Sequence, residues 1–496
     1  MNVPVSDLRQ RILSAMKAGR PGEALSELER ALKIEPCNPT FLVYRAQCLV
    51  ALGRIASAGE AAAAAETVAG SDAMLWDAIG TVYSRGGDQR RALTAYDRAI
   101  ALAPDNAQLL YNRAAVRRFL GELAQAEADY DRVIALKPTD YEAYRNRSDL
   151  RTQSAERNHI AELEGLVAAS RLDWRAAVQI YYALAKEYED LGDYPRSFQR
   201  LQQGARIRRA HMQYDIARDL ATVDWIIQAF PVAPSEATAQ TGKVAPSAAA
   251  PIFILGLPRS GSTLVDRILS SHSLVSSAGE LNAFALAIVD AVRKQSGRAQ
   301  MSRQELIAAS ASLDFAALGR NYLERAQALG ATGAYFTDKM PLNYLYCGLI
   351  RRALPNAKII HVSRSPMAAC YAMYKMLFED GYPFSYDLGE IGQYYLAYRR
   401  LMEHWWRSMP GAMLSLRYEE LISDQLGVTL SLLKFCGLEW QDACAQFHQN
   451  PSPTTTASAA QVRRPLYDSS VSQWRHYAAQ LAPLAAQLRA GGISVD

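Results

Sequence analysis

PIFILGLPRSGSTLVDRILSSH (residues 251–272) decides how the second half of this chain folds. PIFIL is a short, unbroken apolar run, suited to a strand buried on both faces of a parallel sheet. It leads directly into GLPRSGST, and beyond Gly261 the apolar spacing (Leu264, Ile268, Leu269) becomes helical. Strand, glycine-containing loop and helix in that order aim backbone N–H groups and a helix N-terminus at an anion. Against the nucleotide loop G-x-x-x-x-G-K-[ST], Gly256, Gly261 and Thr263 fit, but Ser262 stands where the lysine belongs. Arg259 is the cation of this loop instead. No magnesium-binding aspartate of the Walker type follows a strand, so triphosphate hydrolysis is disfavoured. A ligand with 5′-phosphate character and no metal fits better.

Outward from this loop, composition changes sharply. Residues 231–250, PVAPSEATAQTGKVAPSAAA, lack periodicity and read as a linker. Before them lies a repeat. Gly19, Gly53, Gly87 and Gly121 recur every 34 residues, as do Ala24, Ala58, Ala92 and Ala126, while Pro36, Gly70, Pro104 and Pro138 keep the same step. Each unit reads as two antiparallel helices. A glycine ends the first helix, an alanine allows close approach, and a proline stops the second. One such pair cannot bury its apolar face alone, so neighbours stack into a solenoid. A further unit at 181–210 carries Gly192, which is 71 residues after Gly121 rather than 68. The register therefore slips between them, which predicts an atypical helix pair.

The whole chain has 496 residues, half of them hydrophobic, and a formal net charge of +4. That excludes a wholly disordered chain and gives no footprint of a nucleic-acid binder. The six cysteines show no C-x-x-C pairing and read as reduced thiols of a cytoplasmic protein. No apolar run suggests a secretory leader or a membrane span, and the seven histidines lack ligand spacing, so no metal is expected.

The 34-residue units resemble tetratricopeptide repeats over about residues 3–140. That resemblance implies a concave surface for a protein or peptide; use of the solenoid for dimerisation (a homodimer) or stability stays open. FILGLPRSGSTLV (253–265) resembles the 5′-phosphosulfate loop of sulfotransferases, enzymes that use 3′-phosphoadenosine 5′-phosphosulfate (PAPS). IIHVSRSPMAACYAMY (359–374) resembles their 3′-phosphate segment, and SAGELNAF, FTDKMPLNY, LRYEELISD and TASAAQVRRPLYDSSVSQWRHY follow in family order. The pattern over about 251–485 is most similar to bacterial repeat-bearing sulfotransferases and, more distantly, to tyrosylprotein sulfotransferases. The expected architecture is an all-α solenoid of tetratricopeptide-like helix pairs (1–230), a linker (231–250) and an α/β P-loop-like parallel-sheet sulfotransferase domain (251–496).

The resemblance implies specific roles. Arg259, Ser260, Gly261, Ser262 and Thr263 wrap the 5′-phosphosulfate. Glu280 falls at the catalytic carboxylate, although a first-turn helix glutamate would look the same. Lys339 contacts the transferring sulfonate or the leaving oxygen, against the alternative of a surface lysine paired with Asp338. Arg364 grips the 3′-phosphate, Tyr418 lies near the donor, and Ser458, Arg463 and Arg464 belong to a loop folding over it, with Arg463 the preferred contact. His272, Asp338, His361, Trp474 and Arg475 read as structural. The chain departs from the family at Ala372, Met376 and Gln473, where a serine, an arginine and a lysine are expected; Ser365 or Lys375 could rebuild the phosphate grip. The implied function is sulfuryl transfer from PAPS to a hydroxyl, tyrosine among the possibilities, on a protein or peptide recruited by the repeats. A scaffold with a degenerate nucleotide-binding domain and a P-loop kinase are the alternatives.

Overall fold

A computed structural model describes residues 4–169, 172–232, 250–378, 381–450, 452, 461–466 and 468–495. The chain divides into two compact units: Met1–Arg151 with Gln327–Gly330, and a second holding Thr152–Ala326, Ala331–Asn450 and Gln461–Asp496.

The first unit is a stack of helices: α1 (Val5–Lys17), α2 (Pro21–Ile34), α3 (Pro39–Ala51), α4 (Ile55–Glu66), α5 (Ala73–Arg85), α6 (Gln89–Leu102), α7 (Ala107–Leu120), α8 (Leu123–Leu136) and the short α9 (Tyr141–Ser148). The repeated positions do what their side chains allow. Gly19, Gly53, Gly87 and Gly121 link the helices of each pair at φ between +64° and +88°, a region that costs glycine little. Ala24, Ala58, Ala92 and Ala126 are at most 1% exposed, at the contacts where the helices of each pair meet. Gly80 serves the same end: a Cβ there would lie 2.9 Å from the ring of Tyr96.

The second unit opens with α10 (Ile160–Ala168), α11 (Trp174–Asp190), α12 (Tyr194–Ala210) and α13 (Ile216–Ala229). The slipped register corresponds to α9, an irregular stretch and the short α10, after which Gly192 (φ +76°) turns the regular pair α11–α12. Residues 152–230, expected with the repeats, thus pack in the unit that carries the sheet. Ser197 of α12 shares a hydrogen bond with the Tyr477 hydroxyl, and Arg209 forms an ion pair with Glu390 at 2.6 Å. The expected linker lies, for residues 233–249, outside the described residues.

Five parallel strands follow: β1 (Ala250–Leu255), β2 (Val275–Ser277), β3 (Tyr335–Asp338), β4 (Lys358–Ser363) and β5 (Met413–Arg417), in the spatial order β2-β3-β1-β4-β5. Register pairs Phe253 with Asp338, Leu255 with His361, and Ser363 with Arg417. The chain leaves β1 toward one edge and later returns to its other side at β4, so β1 lies at the switch point where open α/β sheets bind ligands beyond their carboxyl ends. One face of the sheet buries Ile252, Ile254, Ile360, Val362 and Leu416 against Val265, Ile268 and Leu269 of α14 (Ser262–Leu269). This is the helix read from the spacing after Gly261.

Candidate functional site

Every strand delivers a candidate residue at or just beyond its carboxyl end. The 256–261 loop follows β1, Glu280 follows β2, Lys339 follows β3, Arg364 follows β4 and Tyr418 follows β5. Lys339 and Arg364 leave the two strands that flank β1, one on either side of the loop.

The loop is shaped by close backbone approach. Gly256 has φ +145°, and a Cβ there would lie 2.2 Å from the Val362 carbonyl oxygen at the end of β4. Gly261, at φ +106°, starts α14, and its absent Cβ leaves room for the Tyr418 ring, 2.5 Å from where that carbon would be. Arg259 is a non-glycine residue at φ +66°. Such backbone persists only where its surroundings enforce it, and it concentrates at ligand sites. The N-cap of α14 is Gly261, which has no side chain to cap the first turn, and a helix N-terminus favours an anion. Ser262 and Thr263 form this turn and are buried. The Ser260 hydroxyl is buried with no hydrogen-bond partner among the described residues, a cost that a ligand oxygen would remove. A buried orphan donor, two glycines at close approach and an arginine-bearing loop fit a phosphosulfate group.

Lys339 is 1% exposed and its ammonium forms an ion pair with Glu280. The surface pairing with Asp338 does not form. Asp338 instead accepts from the Tyr322 hydroxyl at 2.9 Å and the Asn343 amide at 3.2 Å. Burial pushes its pKa up to about 7, against those two bonds and the Leu281 and Met340 N–H groups, which favour the ionised form. Glu280 lies two residues before the Asn282 N-cap of the helix Ala283–Ser296, outside its first turn, with a side chain 43% exposed. A residue that sequence reasoning missed stands behind the pair. Asp266 of α14 accepts from Ser277 at 3.0 Å and from Thr337. Burial raises its pKa, while the charge of Lys339 is the foremost influence in the other direction. Only the helical phase of DRIL, which turns Asp266 toward β2 and β3, could have signalled it.

Arg364 donates to the Arg259 carbonyl at 3.1 Å and to the Ser470 carbonyl, and its guanidinium lies 4.9 Å over the Tyr418 ring. The Tyr418 hydroxyl bonds Ser470 Oγ at 3.0 Å. Arg259, Gly261, Arg364 and Tyr418 are therefore one contact set, closed by Ser470. Arg463 lies in a turn (Gln461–Arg463) packed on α14; burial of Arg267, aided by the Arg463 charge, lowers the Arg267 pKa to about 10. Ser458 lies outside the described residues.

The two residues proposed to rebuild the phosphate grip are already engaged. The Ser365 N–H donates to Glu419 at 2.8 Å. Lys375 donates to Glu189 of α11 at 2.8 Å and to Gln473 at 2.9 Å. His361 is buried within β4 and its ring bonds the Tyr398 hydroxyl. Burial lowers its pKa to about 3. His272 accepts from the Leu274 N–H at 3.2 Å and bonds the Glu439 carbonyl at 3.1 Å, spanning two main-chain groups. Trp474 carries the Arg475 guanidinium 5.0 Å from its ring. A cleft of about 340 Å³ adjoins the contact set; Ser260, Arg364, Ser365, Tyr395, Arg399 and Trp406 line it.

Comparison with known proteins agrees with this architecture. Residues 251–442 match the sulfotransferase family, and residues 15–79 and 78–149 match tetratricopeptide-repeat models. Residues 251–442 are thus a sulfotransferase-family domain, with tetratricopeptide repeats ahead of it. An uncharacterized protein of Aquifex aeolicus is 32% identical over 349 residues, which are 69% of this chain and 45% of that one. The chain thus spans less than half the length of that relative. Protein-tyrosine sulfotransferase 2 of Gallus gallus is 25% identical over 265 residues, 48% of this chain and 68% of that protein. A sulfotransferase domain from the curacin biosynthetic pathway has 19% identity and a TM-score of 0.32, covering 47% of this chain and 97% of that domain. Among the described residues, no helix is long and apolar enough to cross a membrane, and no group of three or more His, Cys, Asp or Glu could hold a metal ion.

Proposed function

We propose that this chain transfers a sulfuryl group from PAPS to a hydroxyl acceptor. The supporting observation is the arrangement of Arg259, Lys339 and Arg364 beyond the carboxyl ends of three adjacent strands, beside a loop with an unpartnered buried hydroxyl. The donor, when bound, supplies an activated SO₃ group, which passes to the acceptor oxygen as the bond from sulfur to the bridging phosphate oxygen breaks.

The protein's own part is positioning and charge stabilisation. Arg259, the Ser260 hydroxyl and the N–H groups of residues 261–263 hold the 5′ end. Lys339, kept in place by burial and by Glu280, offers an N–H to the oxygen that leaves. Glu280, the more exposed partner, takes the acceptor's proton with the oxygen that Lys339 does not hold. Arg364, stacked on Tyr418, grips the 3′-phosphate, and Arg463 approaches from the loop that precedes Ser470. The acceptor is a protein or peptide presented by the repeats, and similarity to a protein-tyrosine sulfotransferase favours a phenol. A cytoplasmic location fits the cysteine usage.

Two measurements test this. Adenosine 3′,5′-bisphosphate should bind saturably without magnesium, and its failure to bind refutes the reading. Glu280→Gln should slow transfer of labelled sulfate by about 10²–10⁴ with the bisphosphate still bound; unchanged turnover removes Glu280 from the role.

A further inference from the structure

A buried polar cluster lies next to the Arg364 end of the site. The Glu189 carboxylate accepts from Lys375 at 2.8 Å, from the Tyr371 hydroxyl at 2.5 Å and from the Tyr477 hydroxyl at 2.9 Å. Its side chain is 10% exposed and that of Lys375 31%. Three donors that would suit a phosphate thus converge on a protein carboxylate. Burial alone would raise the pKa of Glu189, but the Lys375 charge and these bonds hold it below the usual carboxylate range, so the carboxylate is an anion at neutral pH.

Two contacts connect the cluster to Arg364. Arg364 bonds the Ser470 carbonyl and Lys375 the Gln473 side chain. Residues 470 and 473 are one turn apart, so both cations dock on the same turn. Arg364 and Lys375 also bracket one helix, Pro366–Tyr374. Ala372, three residues before Lys375 on the same face, has no polar side-chain group to offer. Lys375 is therefore a further cation on this turn, and Glu189 cancels its charge. Glu419, bonded to the Ser365 N–H, adds another carboxylate.

We propose that Glu189 determines nucleotide selectivity: by neutralising Lys375 it limits the affinity that a 3′-phosphate adds to a 5′-phosphorylated adenosine. This rests on the donor reading above. Glu189 acts through Lys375 and is a positioning residue, not a catalytic one. It also gives the helix pair α11–α12 a part in donor choice.

The test is calorimetric titration of the full chain with adenosine 3′,5′-bisphosphate and adenosine 5′-monophosphate. The wild type should favour the bisphosphate by about tenfold or less. Glu189→Gln should raise that ratio at least about fivefold by tightening the bisphosphate alone, and Glu189→Gln/Lys375→Gln should return it to the wild-type value. Should Glu189→Gln fail to fold, Gln473→Lys leaves the buried carboxylate in place, frees Lys375 by competing for Glu189, and should raise the ratio likewise. A ratio that does not move, or affinities for both nucleotides that move in parallel as a merely structural role would make them, overturns the proposal. A wild type that binds neither nucleotide is a different result: it refutes the donor reading and this inference with it.

Discussion

Gly261→Ala is the sharpest perturbation of the loop, because its cost can be worked from geometry. The residue has φ +106°, where an L-residue is strained, by about 1–3 kcal/mol. The new Cβ would stand 2.5 Å from Tyr418 Cδ2. Carbon atoms need about 3.5 Å, so the ring must shift by about 1 Å, and an off-rotamer ring costs about 0.5–1.5 kcal/mol. The sum is about 2–4 kcal/mol, charged against the one loop conformation that holds a ligand. At about 1.4 kcal/mol per decade, bisphosphate affinity should fall by about 30-fold or more. The ring is also the surface under Arg364, so the displacement reaches both ends of the site. Titration calorimetry of Gly261→Ala, Tyr418→Ala and the double variant reads this directly. Removing the ring should recover about tenfold of the loss in the double variant, a non-additivity that only contacting residues show. Binding by Gly261→Ala within threefold of wild type would refute the reasoning.

Two further predictions concern stability and folding boundaries. His361 has a folded pKa lowered to about 3 from the model-peptide value of 6.5; below pH 6.5 the unfolded chain takes up a proton that the folded chain refuses. The wild type should therefore lose stability relative to His361→Phe as pH falls from 6.5 toward 3, by up to about 1.4 kcal/mol per pH unit. Denaturant unfolding of both proteins at pH 7 and 5 checks it, and a pH-independent difference refutes it. Deleting residues 1–151 should spare bisphosphate binding and weaken use of a macromolecular acceptor, whereas deleting 1–225 should abolish binding, because α11 and α12 supply Glu189, Ser197 and Arg209 to the second unit. Equal binding by both truncations would contradict that division.

The legible parts of this chain are those written in local pattern. A 34-residue step and a strand–loop–helix segment are both short-range signals, and the structure returns them as helix pairs and as the β1 loop and α14. The candidate residues were visible through the motifs that resemble the sulfotransferase pattern, and Glu280, Lys339, Arg364 and Tyr418 lie just beyond strand ends. The partners that hold them were not. Ser470 is 106 residues from Arg364, and Glu189 is 186 from Lys375; no periodicity links positions so far apart. For the same reason α11–α12 read as one more repeat. Its glycine turn is that of a repeat, while its membership of the second unit rests on single long-range contacts. Lys339 shows the limit from the other side: adjacency suggested Asp338 as its partner, but successive side chains of a strand point to opposite faces, and the ammonium met Glu280 instead.

In the proposed transfer, the bond between Lys339 and Glu280 links the two ends of the exchange. On the proposed roles, the acceptor's proton goes to the Glu280 oxygen that the ammonium does not hold, while a bridging oxygen that gathers charge draws the ammonium away. As the ammonium turns to the leaving oxygen it stops neutralising the carboxylate, so in this proposal a single swing of one lysine serves both halves of the exchange.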